Sequence, residues 1–290
     1  LLAFGHCPWS RDLLAQMSGL LDKAGAGTIG FILPLETPQN ELGLKTLQEF
    51  QSTHQSELNQ TTRALFDRIA RQLNTDRTLS EAFRDSGNIM LALPYVQDTS
   101  MPVNKLPKLP PGLANNHIPA MSIEGQPPAL YERVPEALHP DRTMYLHRLA
   151  TPTDLIGNSA AAMGPAIGTP VMDGSLSARP LLVPYGNGYL PSFPLLVAAA
   201  QTGGINQLSA IHGTGIYYSD RLIETDTKFR TLPFYYRTKD GLPAFDVYSF
   251  HKVLNGDIKP DAFRNKIVLI GLGSDSLVDF HETPLGEKMP

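Results

Sequence analysis

The sequence predicts an α/β fold, a mixed β-sheet covered by helices and interrupted by a long proline-rich insertion. Three observations predict it. Short apolar runs of strand length, at 28–33, 89–93 and 266–270, lack polar alternation, as strands covered on both faces do. Segments with apolar residues at helical spacing alternate with them, giving the order α-β-α-α-β up to Leu93. Finally, 12 of the 25 prolines fall between Pro94 and Pro165, where they interrupt both patterns.

The first helix is capped by Ser10, repeats Leu13, Leu14, Met17, Leu20, Leu21 and Ala24 at helical spacing, and ends at Gly25. From about Asn40 to Arg71 one amphipathic cover helix is expected, with Leu58, Thr62, Leu65, Phe66, Ile69 and Leu73 along its apolar face. A short helix around Ser80 to Arg84 leads through Gly87 into the second strand. Residues 94–165 read as an ordered but irregular insertion, with one helix near Pro128 to Leu138. A domain linker is the alternative, but Met121, Ile123, Leu130, Tyr131 and Val134 are too apolar for a solvated tether.

Regular structure is expected to return at Ala166–Val171, turn at Asp173-Gly174 and run back along Leu176–Tyr185. Ser192 caps a helix over Phe193–Gln201 that Gly203-Gly204 ends. Short strands follow at Gln207–His212, at Gly215–Tyr218, near Ile223 and at Pro233–Tyr236. A helix over Asp246–Leu254 then precedes the buried strand Lys266–Ile270.

A net charge of −4 with scattered Lys and Arg argues against nucleic acid as a partner. The lone Cys7 excludes an intrachain disulfide and a cysteine zinc cage. The longest apolar runs, Leu195 to Ala200 for instance, are far short of the ~18–20 residues that span a bilayer. The chain starts without Met and ends on Lys288-Met289-Pro290, as a piece of a longer protein would.

Several segments in order carry a family resemblance. They are Pro8-Trp-Ser-Arg11, Ala24-Gly-Ala26 with Ile29-Gly-Phe31, Asp173-Gly174 with Arg179-Pro-Leu-Leu182, and Tyr189-Leu-Pro-Ser192. Phe263-Arg-Asn-Lys-Ile-Val-Leu-Ile-Gly271 follows, with Asp279 and Thr283-Pro284. This order resembles the CHASE type-two domain, a sensory module outside the membrane in bacterial cyclases, histidine kinases and Ser/Thr kinases. The resemblance runs from about Pro8 to Pro290. It implies one extracytoplasmic sensor domain over residues 1–290, following one transmembrane helix and preceding others. A homodimeric receptor is expected, with an unidentified small ligand or envelope component as stimulus.

The candidate chemistry is sparse. Ile270-Gly-Leu-Gly-Ser-Asp-Ser276 starts like a dinucleotide fingerprint but lacks its third glycine, and a tight turn explains it better. His212-Gly-Thr-Gly215 hints at an oxyanion loop, yet no Gly-x-Ser-x-Gly elbow accompanies it. Asp279, His281 and Glu282 read as a surface cluster rather than a metal site, and the other histidines show no ligand spacing. No cofactor, metal or catalytic residue is expected. Arg11, Asp173, Arg179 and Asp279 stand out, because Arg pairs bidentately with carboxylates. They are candidates for a buried ion-pair network, or for the lining of an anionic-ligand pocket. Tyr217, Tyr218, Phe234, Tyr235, Tyr236 and Phe245 read as core and edge packing before a ligand cage. The leading function is a sensing module. An α/β hydrolytic enzyme and a ligand-free dimerisation domain are the alternatives.

Overall fold

The computed structural model describes residues 9–96, 109–119, 148–166, 178–185, 188–211, 213–218, 220–234, 236, 245–272, 281–282 and 288–289. In chain order its main elements are α1 (Arg11–Lys23), β1 (Thr28–Ile32), α2 (Glu41–Thr53), α3 (Gln60–Leu73), α4 (Thr75–Ser86), β2 (Ile89–Leu93), α5 (Asp154–Gly157) and β3 (Ala162–Pro165). There follow β4 (Leu182–Tyr185), β5 (Gly188–Pro191), α6 (Phe193–Thr202), β6 (Leu208–Ile211), β7 (Gly215–Tyr218), β8 (Arg221–Glu224), α7 (Phe250–Leu254) and β9 (Ile267–Gly271).

The α/β class expected from the sequence is the one observed, with parallel and antiparallel pairing divided between sheets. The central sheet has the order β9-β1-β2-β3 and is parallel throughout. Antiparallel pairing occurs in β6-β7-β8 and in a sheet joining β4, β5 and Ile118–Pro119.

Alternation along the strands sorts the core into two faces. Ile29, Phe31, Ile89 and Leu91 point to one face and pack with Leu14, Leu21, Leu79 and Phe83 of α1 and α4. The Phe31 and Phe83 rings, both fully buried, lie with centroids 5.1 Å apart. Met90, Ala92 and Ala162 point to the other face, under Phe193, Leu196 and Val197 of α6. That helix is apolar nearly all round, as a helix sandwiched between layers must be. Its outer side meets the β6-β7-β8 sheet, and Tyr218 Oη donates to the carbonyl of Ala199.

Local signals explain the ends of α1. Ser10 Oγ accepts from the Asp12 N–H at its start, and Gly25, at φ 77°, takes the left-handed conformation just beyond its end.

Several expectations are corrected. The single cover helix over Asn40–Arg71 is two helices, α2 and α3, because the chain turns at 54–58 and Asn59 recaps it by accepting from the Thr62 N–H. Neither helix buries a residue. They pack on each other, through Phe50 edge-on to Phe66, as a hairpin rather than a cover. The central sheet gains β3 at Ala162, inside the segment expected to be irregular up to Pro165. Pro233 and Phe234 are not in a strand, and only the last five residues of Asp246–Leu254 are helical. β9 is an edge strand whose Ile267 and Leu269 are exposed, so it is not buried on both faces. The helix expected near Pro128–Leu138, the strand at Ala166–Val171 and the Asp173-Gly174 turn fall wholly or almost wholly outside the described residues.

Candidate functional site

At the start of α1, Arg11 is only 4% exposed, an unusual place for a guanidinium. Its charge is met by Asp76, in the first turn of α4: Arg11 Nε donates to Asp76 Oδ1 at 3.2 Å. The remaining donors go to the chain just past β1, Nη1 to the carbonyl of Pro34 at 3.3 Å and Nη2 to that of Thr37 at 3.1 Å. Asp76 Oδ2 accepts from the Gln39 N–H at 2.9 Å. Gln39 completes the cluster, its Oε1 accepting from the Arg11 N–H and from Thr75 Oγ1. Asp76 also lies at a helix N-terminus, where the backbone favours negative charge.

This clamp joins three places: the start of α1, the loop after β1 and the start of α4. Because α2 and α3 are inserted between that loop and α4, it also closes the base of their hairpin. Asn40 Nδ2 reaches the carbonyl of Leu73 across the same base.

The clamp sits at the carboxyl edge of the parallel sheet, the edge where open α/β sheets form their clefts. β9 ends at this edge too, since Gly271 is the register partner of Ile32. The chain therefore comes into the central fold and leaves its last central strand on one side. Next to the clamp, Leu33, Leu35, Glu36, Leu93, Pro94 and Pro152 line a shallow crevice with room for no more than about one water molecule. Among the described residues, no group of three or more His, Cys, Asp or Glu comes together to hold a metal ion.

Of the four residues singled out in the sequence, Arg11 is in the clamp, but its carboxylate partner is Asp76, which the sequence reading did not name. The signal for Asp76 was available: Asn74 caps α4 by accepting from the Arg77 N–H, and an acidic residue follows in the first turn. Arg179 lies in a two-residue strand opposite Thr231, remote in sequence from every member of the clamp. Asp173 and Asp279 fall outside the described residues, as do His212 and Tyr235. His281 and Glu282 form a short strand against Lys288 and Met289.

The loop around Gly213–Gly215 is explained by the β6–β7 turn. Gly213 has φ 77°, and a Cβ on Gly215 would run into the carbonyl of Ile223. Tyr217 and Tyr218 are half-buried, Tyr218 bonding to α6, whereas Phe234 (91% exposed), Tyr236 and Phe245 are at the surface and not in a core. Among the described residues no helix is long and apolar enough to cross a membrane.

A family model, that of the CHASE2 domain, matches residues 1–290. The chain belongs to the CHASE2 family. The ordered segments from Pro8 to Pro284 are thus those of a sensory, extracellular domain family that is not catalytic, and an extracytoplasmic placement goes with it. No curated protein and no solved structure matches the chain. Within the CHASE2 domain the Arg11–Gln39–Asp76 clamp is a densely hydrogen-bonded polar cluster built around a buried ion pair.

Proposed function

We propose that this CHASE2 domain is the extracytoplasmic sensing part of a homodimeric transmembrane receptor, and that it passes a stimulus to a cytoplasmic cyclase or kinase. The observation that carries the reading is the shared edge. Arg11 at the start of α1 bonds to the carbonyls of Pro34 and Thr37, and Gly271 at the end of β9 pairs with Ile32, only two residues from Pro34. Membrane segments flanking the domain would approach it from one side.

A cue acting on the loop after β1 or on the α2–α3 hairpin would bear on the clamp, and through it on the first turn of α1. Differential stability of two arrangements then transmits the signal. The exposed Phe234, Tyr236 and Phe245 give a dimer apolar contact surface.

The test uses the full-length protein in membranes. Residues 1–290 should be cleaved by protease added from outside. Asp76→Asn should change the cytoplasmic output, as cyclic nucleotide formed or phosphate incorporated, at unchanged protein level. An output that survives deletion of the domain unaltered would end the reading.

A further inference from the structure

The three large apolar side chains that the α2–α3 hairpin exposes lie on one of its two faces. Leu42, Thr46 and Phe50 follow one another at intervals of four along α2, and Thr62, Leu65, Phe66 and Ile69 at intervals of one, three and four along α3. The Phe50–Phe66 contact brings the two stripes to the same side, whereas Gln51 donates to Asp67 on the other. On the apolar face Leu42 is 80% exposed, and Phe50 and Leu65 are each 44% exposed. Two helices alone cannot bury such a face, and helical bundles bury it under a further layer.

The charges at the edges of the face say what that layer is. Glu49, four residues after Lys45 and seven after Leu42, lies on the outer edge of α2. Arg68, three residues after Leu65, lies on the outer edge of α3. Both are exposed, and among the described residues neither has an ion-pair partner. Phe50 against Phe66 and Gly43 beside Leu73 set a register that puts the two at one height on opposite edges, too far apart to meet within one hairpin. A second copy laid on this face by a two-fold rotation about the hairpin's long axis sets its α3 over α2, and each Glu49 meets Arg68 of the other copy. A two-fold rotation about an axis across the hairpin sets α2 on α2 and α3 on α3, like charge on like. The charges therefore select the first arrangement, in which both hairpins point the same way. The two helices side by side present a face of roughly 400 Å². That is about half of the ~800 Å² per partner that a stable free dimer buries. The contact is thus weak between free copies and effective between copies tethered in one membrane.

We propose that Leu42, Phe50, Leu65 and Ile69 dock on the same residues of a second copy, closing a four-helix bundle that Glu49–Arg68 pairs between copies hold in register. The proposal rests on the homodimeric reading above and names one contact of that dimer. The base of the hairpin is closed by the Arg11–Asp76 clamp, so a change in how the hairpins pair reaches the first turn of α1.

The experiment is oxidative cross-linking of the full-length protein in membranes, with every native cysteine, Cys7 included, replaced by serine. Glu49→Cys copies carrying one tag and Arg68→Cys copies carrying another are made in the same cells, which leaves the second Glu49–Arg68 pair of a mixed dimer intact. The 49–68 disulfide between copies should form at least about tenfold more than 49–49 or 68–68, because the bond needs Cβ atoms roughly 3.5–4.5 Å apart. Links at 49–49 and 68–68 in place of 49–68 overturn the proposal, and so does the absence of all three. In the latter case an amine-reactive cross-linker on the native protein separates the two failures. A dimer then means that the copies meet elsewhere and the hairpin face is covered by something else. No dimer means that the homodimeric reading itself fails.

Discussion

Arg11 and Asp76 are 65 positions apart in sequence and 3.2 Å apart in space, and both are buried. Their pairing fixes the first turn of α1 to the first turn of α4, at the edge of the sheet where the loop after β1 also ends.

Removing one partner should therefore cost more than removing both. Arg11→Ala leaves the Asp76 carboxylate buried without its cation, a loss of about 3–5 kcal/mol in the unfolding free energy. Arg11→Met with Asp76→Leu removes both charges and should lose less than Arg11→Ala alone. Urea denaturation of the single and double variants measures the difference. A double variant as unstable as the sum of the singles would show that the pair is not coupled.

Asp226 sets a pH dependence of known sign. Burial pushes its carboxyl up, but hydrogen bonds from the Arg230 N–H, the Arg230 guanidinium and the Lys228 N–H, with the Arg230 charge, outweigh it and hold it below the usual carboxylate value. A carboxyl lower in the folded than in the unfolded chain stabilises the fold above the unfolded value, about 3.9, and the benefit is lost as pH falls through the folded value. The advantage of the native chain over Asp226→Asn should hold from pH 7 to 5 and shrink below pH 4. Thermal unfolding across that range checks it, and an advantage that does not change with pH contradicts it.

Two glycines should respond in opposite directions. Gly19, inside α1, has no atom within 4 Å of a new Cβ, so Gly19→Ala should stabilise by about 0.5–1 kcal/mol through helix propensity. Gly164, in β3, would place its Cβ 2.5 Å from Leu196 Cδ1, 2.7 Å from the Pro191 carbonyl oxygen and 3.1 Å from the Phe193 nitrogen. Two of these are backbone atoms and cannot rotate away, so Gly164→Ala should cost about 1–3 kcal/mol. Differential scanning calorimetry of both variants gives the two signs.

How far the sequence is legible depends on whether a feature is local. β1, β2 and β9 announce themselves as apolar runs, and β6, β7 and β8 as short segments set off by Gly213, Gly215 and Asp220. Ser10 and Gly25 mark the ends of α1 because capping is settled within a turn of the helix. The break between α2 and α3 was also local, at Asn59, but the apolar residues on either side keep helical phase and hide it. Arg11 could be singled out, but not its partner. The choice of Asp76 over other carboxylates depends on how the 34–39 loop and α4 come together, a tertiary matter. The exposure of Phe234 and Phe245, and of one face of β9, is likewise invisible to composition, because an edge strand and a central strand share the same apolar alphabet.

The α2–α3 hairpin should be separable from the fold. Neither helix buries a residue, and their mutual contacts, Phe50 with Phe66 and Gln51 with Asp67, stay within the hairpin. Its two ends meet at the clamp, where Thr75 Oγ1 lies 3.0 Å from Gln39 Oε1 and Asn40 Nδ2 lies 3.4 Å from the carbonyl of Leu73. Replacing residues 41–73 with a short Gly-Ser linker keeps both partners of the clamp and shortens the loop between them. Loop-closure entropy changes slowly with length, so the unfolding free energy should move by no more than about 1 kcal/mol. Loss of cooperative unfolding would show that the hairpin is integral to the core. With the fold retained, the same excision tests the function proposed above: a full-length protein that acts as a receptor through this hairpin should keep its basal output and no longer respond, since the Arg11–Asp76 pair remains in place.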